Sequence, residues 1–362
     1  MIAPAPSGPA TLADFEQAAT QEHLVPLWTV RRRLAGAEPY LWRWPHVRQR
    51  ILQAADLVPL GGQGAERRVL LMLNPGLPAD RTATTETLLA SVQLIHGREM
   101  APSHRHTAAA LRFVMEGQGA CTVVNGQPVS MDVGDLVLTP GWCWHGHFSE
   151  HEEPMIWMDG LDAPLLRSLA AMMGEEFPTP DRKQPLTAAR DDSLELYGAG
   201  VLQPIDRPAG QLNSPLLSYP WQQTEDRLNR LAERDGSPFD GLALQYTNPT
   251  TGGPVLPTID CWIQMLRRGE HTQAHRHTGG VIYNVARGAG WSVINGQRFD
   301  WSAGDVFCVP AWAWHEHANA SAAEPAILFS MNDSPVLRPL GLYREEPYQD
   351  NAGQQAITST FG

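Results

Sequence analysis

HisArgHisThr (104–107) and TrpCysTrpHisGlyHis (142–147) return downstream as HisArgHisThr (275–278) and TrpAlaTrpHisGluHis (312–317), and this doubled block decides how the chain is read. The order between the two ends is kept. GluGlyGlnGly (116–119) is answered by ArgGlyAlaGly (287–290), ValValAsnGlyGln (123–127) by ValIleAsnGlyGln (293–297), and GlyAspLeuValLeuThrPro (134–140) by GlyAspValPheCysValPro (304–310). His275 follows His104 by 171 residues and Val293 follows Val123 by 170, so a single one-residue indel aligns every block. The blocks are built from short β-rich runs such as AlaCysThrValVal (120–124) and LeuValLeuThr (136–139), punctuated by Asn-Gly and Gly-Asp turns. That texture belongs to an antiparallel barrel or sandwich, here present twice.

Working outward, the copies occupy 66–162 and 241–340, joined by a connector at 163–240 and followed by a tail at 341–362. Residues 1–65 read as an N-terminal helical arm: Leu12, Phe15, Ala18 and Ala19 recur at helical spacing, with Asp14 and Glu16 in the first turn. The opening MIAPAPSGPA has the composition of a frayed terminus. Only 18% of the 362 residues are charged, while 32 are Gly and 30 Pro, a balance suited to many short elements joined by turns.

A formal net charge of −12 argues against nucleic acid, which requires a basic face to neutralise phosphates. The one basic run, Arg31-Arg32-Arg33, reads as a solvated helix face. No apolar stretch approaches the roughly 20 residues that span a bilayer, and the start lacks a signal-peptide pattern, so a soluble, cytoplasmic protein is expected. The four cysteines, Cys121, Cys143, Cys261 and Cys308, form no CxxC pair and read as free thiols.

Each copy carries His-x-His on an apparent strand and a third His about forty residues later, beyond a Gly-Asp turn and a Pro. Alternate strand residues point the same way, so His104 and His106 present two imidazoles to one metal ion and His145 completes the set. His275, His277 and His315 repeat the spacing, which permits a second metal site.

These residues resemble the cupin superfamily, whose second motif fits Gly134-Pro140-His145 and Gly304-Pro310-His315. Its first motif has Glu after the His pair; Ala110 and Val281 stand there instead. A more specific resemblance, to the gentisate 1,2-dioxygenase family with its salicylate and 1-hydroxy-2-naphthoate members, rests on GluArgArgValLeu (66–70), AsnProGly (74–76), AlaProSerHisArgHis (101–106), LeuArgPheValMetGluGly (111–117) and TrpHisGlyHis (144–147). It implies a mainly β bicupin of two double-stranded β-helix (jelly-roll) barrels. It also implies Fe(II) on the N-terminal trio, cleavage of an ortho-hydroxy aromatic acid by O2, a homotetramer, and a C-terminal copy that is structural. Three imidazoles without a carboxylate leave coordination positions open for a chelating substrate and dioxygen.

Comparing the two copies points to the first as the reactive one. Arg112 lies six residues past His106, so strand parity turns it inward; its counterpart is Tyr283, and Asp159 is matched by Ser330. An inward Arg asks for an anionic partner, here a substrate carboxylate. Gln93 and His147, matched by Gln264 and His317, join Asp159 as groups to hydrogen-bond the substrate hydroxyl, a ring substituent or oxygen. The resemblance suggests Arg67 or Arg68 near the pocket, and Leu89, Ser91, Ala108 and Trp142 are further candidates for its lining.

Gentisate is the first-choice substrate. Leu89, Ala90 and Ser91, where the family usually has Trp and small residues, together with Ala108-Ala109-Ala110 keep salicylate, 5-substituted salicylates and 1-hydroxy-2-naphthoate as alternatives. An oxalate-decarboxylase-like reading with manganese is disfavoured by the missing Glu in both copies. A non-catalytic binding bicupin is disfavoured by the survival of all six His. Long-range repulsion at −12 leaves capture of an aromatic anion to local groups, chiefly Arg112 and the metal.

Overall fold

The computed structural model describes residues 11–29, 36–60, 65–78, 80–199, 202–206 and 210–362. The expected frayed start and the Arg31–Arg33 face lie outside the described residues. Residues 1–35 form one unit and 36–362 a second. In the first, Leu12–Gln21 is helical, its start fixed by the Thr11 hydroxyl accepting from the Asp14 amide at 3.1 Å, and none of its residues is buried.

In the second unit each sequence repeat is a pair of facing sheets. The first barrel has a six-stranded sheet in the order Ser218–Tyr219, Leu136–Thr139, Ala110–Glu116, Met155–Leu161, Leu89–Ile95, Arg68–Leu71. A five-stranded sheet faces it, ordered Gly174–Glu176, Met100–His106, His145–Ser149, Gln118–Val124, Gln127–Asp132. The second barrel repeats this order with Tyr40–Trp42 and Leu242–Gln245 at the edges of one sheet and Glu345–Pro347 at an edge of the other. This is the expected mainly β architecture of two jelly-roll barrels.

All seven residues of Leu89–Ile95 are buried because both faces of its sheet are covered. Inward residues such as Ile95, Val114, Val137 and Trp157 fill the barrel. Residues of opposite parity, Leu94, Phe113, Ile156 and Met158, pack against Ile263, Phe329 and Met331 of the second barrel in one shared core. Phe113 and Phe329 stack there with ring centroids 4.3 Å apart and planes 12° from parallel. Truncating either would cost about 3–5 kcal/mol.

Two segments outside the repeats turn out to be integral to them. Tyr40–Trp42, from the expected arm, pairs with Val306–Val309 of the second barrel, and Ser218–Tyr219, from the expected connector, pairs with Leu136–Thr139 of the first. Each strand runs into a helix, Trp44–Leu57 or Trp221–Leu231, that lacks a side-chain cap of its own. The turn aspartate of the barrel supplies it: Asp305 accepts from the Trp44 amide at 2.6 Å and Asp135 from the Trp221 amide at 2.7 Å. Gly134 and Gly304, in those turns, have φ of +88° and +87°, and a Cβ on either would come within 2.5 Å of the facing Trp221 or Trp44 ring. The N-terminal arm therefore includes a strap on the distant barrel, because an unpaired edge strand gains most by completing a sheet. The C-terminal tail likewise supplies Glu345–Pro347, which pairs with His275–His277 as Gly174–Glu176 pairs with His104 to His106. Among the described residues no helix is long and apolar enough to cross a membrane.

Candidate metal and substrate site

His104 and His106 share one face of Met100–His106, and His145 opens the neighbouring strand directly opposite His104. One ring nitrogen from each lies within 4.8 Å of the other two. His106 and His145 donate Nδ1–H to the carbonyls of Ala108 at 2.8 Å and Cys143 at 3.0 Å, which fixes the tautomer and leaves Nε2 free to ligate. Arg67 donates instead to His104 Nδ1 at 2.7 Å, and to the Pro102 carbonyl at 2.7 Å. Burial, and next the Arg67 charge, push His104 down to about 2; burial also lowers His106 and His145. All three imidazoles are neutral; His106 and His145 present a bare Nε2, whereas the Arg67 bond leaves the His104 proton on Nε2, which must shift to Nδ1 before that nitrogen can ligate. With Ala110 buried where a carboxylate ligand would stand, the donor set fits a divalent ion that keeps coordination positions for other ligands.

Arg112 lies inside the same barrel, 3% exposed, opposite Asp159 in the strand register. Its Nη1 donates to the Thr139 hydroxyl at 2.5 Å and its Nη2 faces His147 Nε2 at 3.4 Å. Its Nε stands 3.5 Å from Asp159 Oδ1 without completing a hydrogen bond, so the guanidinium has a donor to spare. Burial pushes Asp159 up to about 6, opposed by the Arg112 charge and by a 3.0 Å hydrogen bond from Trp157 Nε1. His147 is buried and neutral: burial and the Arg112 charge lower it, and its Nδ1 pairs with the Thr122 hydroxyl at 2.9 Å.

Ser91 pairs with Asp159 and Gln93 with Trp157, so Leu89, Ser91 and Gln93 line the inward face of one strand, all three buried. Ala108 is fully buried beside the His pair. Two of the expected pocket residues are elsewhere. Arg68 is opposite Leu94, on the outward parity, where it donates to the Val58 carbonyl at 2.6 Å and to both Glu99 oxygens at 2.5 and 2.7 Å. Trp142 is 37% exposed, because a left-handed turn (φ +64°) carries it to the rim, where the Arg105 guanidinium lies 4.5 Å from its ring and 4.4 Å from that of Trp144.

Thr139 and Thr122 were not singled out in sequence, although each contacts a pocket residue. The signal was available for Thr139: its repeat counterpart is Val309, the same polar-for-apolar difference that sets Arg112 apart from Tyr283. The strand registers support those pairings, since Arg112 and Ser91 both face Asp159 while Tyr283 and Trp262 both face Ser330. In the second barrel His275, His277 and His315 also come together, with one ligating atom from each within 4.8 Å of the others.

The cupin domain family matches this chain twice, over residues 91–161 and 262–332. The chain is 40% identical to a 5-aminosalicylate 1,2-dioxygenase of a Comamonas species, across 90% of this chain and 86% of that protein. It is 38% identical to gentisate 1,2-dioxygenase 1 of Aquipseudomonas alcaligenes, across 92% and 95%. The crystal structure of a salicylate 1,2-dioxygenase from Pseudaminobacter salicylatoxidans superposes with a TM-score of 0.85 at 34% identity, covering 94% of this chain and 99% of that one.

Proposed function

Because the chain belongs to the gentisate 1,2-dioxygenase family of two-barrel cupins, with its salicylate and 1-hydroxy-2-naphthoate members, we propose that it opens the ring of an ortho-hydroxy aromatic acid, with gentisate first among the candidates. The bond between the carboxyl-bearing and hydroxyl-bearing carbons breaks, and both atoms of O2 enter the product, so no external reductant is consumed. The observation that carries this reading is the pairing of a neutral His trio with two guanidinium groups, Arg67 and Arg112, inside one barrel.

His104, His106 and His145 would hold the divalent metal, Fe(II) in this reading. When bound, such an ion supplies the redox chemistry that lets dioxygen react with a closed-shell organic anion. The chain's own residues do the rest. Arg112, held by Thr139 and flanked by Asp159, offers its spare Nε–H to the substrate carboxylate, and Arg67 adds a second cation from the His104 side. His147 Nε2, neutral and lacking a proton while Nδ1–H is engaged by Thr122, is suited to accept a hydrogen bond from the substrate hydroxyl. Leu89 and Ala108 give the ring an apolar wall, while Gln93 and Ser91 offer polar contacts to its substituents. A homotetramer belongs to this reading and is checked by light scattering.

A 5-substituted salicylate is the second reading, favoured by the 40% identity to the 5-aminosalicylate enzyme. Oxygen uptake by the anaerobically Fe(II)-loaded protein with gentisate, salicylate, 5-aminosalicylate and 1-hydroxy-2-naphthoate ranks the candidates by kcat/KM. Absence of uptake with all four would remove the dioxygenase reading.

A further inference from the structure

The second barrel keeps the trio and reverses the charge around it. His275 faces His315 in register as His104 faces His145. Here the Nδ1 of His275 meets a carboxylate, Glu345 Oε1 at 3.1 Å, where its counterpart in the first barrel meets Arg67. His277 and His315 direct Nδ1 to the carbonyls of Thr278 at 3.3 Å and Ala313 at 2.9 Å. All three rings are thus held through Nδ1, which leaves three Nε2 atoms as acceptors.

Those acceptors are poorly supplied with donors. His315 is 1% exposed and its Nε2 has no hydrogen-bond partner. A second carboxylate, Asp240, brings Oδ1 to 3.9 Å from His275 Nε2. The register places Gly241 where Arg67 stands in the first barrel, since Ala243 faces Gln264 as Val69 faces Gln93. Removing that guanidinium leaves Asp240 and Glu345 as the charged groups nearest the trio. A cavity of about 80 Å³, lined also by Gln264, Tyr283, Asn332, Asp333 and Arg338, adjoins the His pair and leaves room for water.

We propose that His275, His277 and His315 hold a second divalent transition-metal ion. Asp240 and Glu345 balance its charge, and Glu345 orients His275 from behind, a carboxylate–imidazole–metal relay. The first barrel combines an ion with two guanidiniums and so attracts an anion. The second combines an ion with two carboxylates and needs no anionic ligand, which makes it a metal centre without ring-cleaving chemistry.

Chelator-stripped protein titrated with Co(II) under nitrogen, with bound ion counted after gel filtration, tests this apart from any turnover. The wild-type chain is expected to take two ions, the H104A/H106A variant one, and the same variant with His277→Ala none. A single ion in the wild type that H104A/H106A abolishes would overturn the proposal. Should His277→Ala fail to fold, Glu345→Gln in the H104A/H106A background is the second reading of the same question. Its affinity for the remaining ion is expected to fall about tenfold, and an unchanged affinity would count against the site. Because the readout is ion count, it stays interpretable even if no aromatic acid supports oxygen uptake.

Discussion

In the first barrel Arg67 and Arg112 stand beside His104 and His147; in the second the equivalent positions are Gly241 and Tyr283, and Glu345 and Asp240 approach His275 instead. The frame around both trios is the same. In each, a left-handed Trp, 142 or 312, closes a turn by donating its amide to the carbonyl of the second His at 2.7 or 2.8 Å. The His trio therefore comes with the jelly-roll frame, whereas the sign of the surrounding charge is set by a handful of positions that the repeats do not share. That division predicts where substitutions matter.

The largest effect is expected at the ligands. His106→Ala should lower turnover by a factor on the order of 10³ or more, read by oxygen uptake at saturating substrate. Residual activity near that of the wild type would place the chemistry outside the first barrel and break the comparison. Next comes the guanidinium. Arg112→Ala should raise KM for an aromatic carboxylate about 100-fold, with Arg112→Lys recovering part of it. The matching change across the repeat, Tyr283→Phe, should leave KM within about twofold. A KM that responds equally to both would mean that the two pockets share the substrate.

The straps sharpen the comparison in the opposite sense, since there the barrels should behave alike. Asp135→Ala and Asp305→Ala each remove the cap from one crossing helix and should each cost about 1–2 kcal/mol by denaturant unfolding. A large inequality would show that only one strap supports its barrel. The smallest effect concerns Arg68 and Glu99: the second barrel has Leu242 in place of Arg68 and pairs its own Glu270 with Arg267 instead. The Arg68 hydrogen bonds hold the Glu99 carboxyl below its ordinary 4.5. The resulting stability is complete above that value and is lost as pH falls through the lowered one. Glu99→Gln should therefore be less stable than the wild type at pH 7 by about 0.5–1 kcal/mol in denaturant unfolding, and the difference should shrink in acid.

Both barrels and both trios were legible in sequence because an internal repeat is an alignment of the chain with itself, and strand parity is a rule of period two. Arg112 and Asp159 stood out for the same reason, as charged residues whose counterparts, Tyr283 and Ser330, carry no charge. Parity stopped being informative where a strand begins, so Arg67 and Arg68 were indistinguishable until the register with Gln93 and Leu94 was known. Trp142 escaped the rule because a left-handed turn interrupts it. The straps were illegible for a different reason: Trp44 finds its cap 261 residues away at Asp305, and no local pattern encodes such a partner. Glu345 was hidden likewise, in a tail that reveals its strand only by pairing with His275–His277.

The central claim, that the first barrel cleaves an aromatic ring with dioxygen, is tested most directly by turnover under 18O2 followed by mass spectrometry of the ring-opened product. A ring-cleaving dioxygenase incorporates both labelled atoms and consumes one O2 per substrate, in a reaction that His106→Ala abolishes. Incorporation of a single labelled atom, or conversion of the substrate without oxygen, would contradict it.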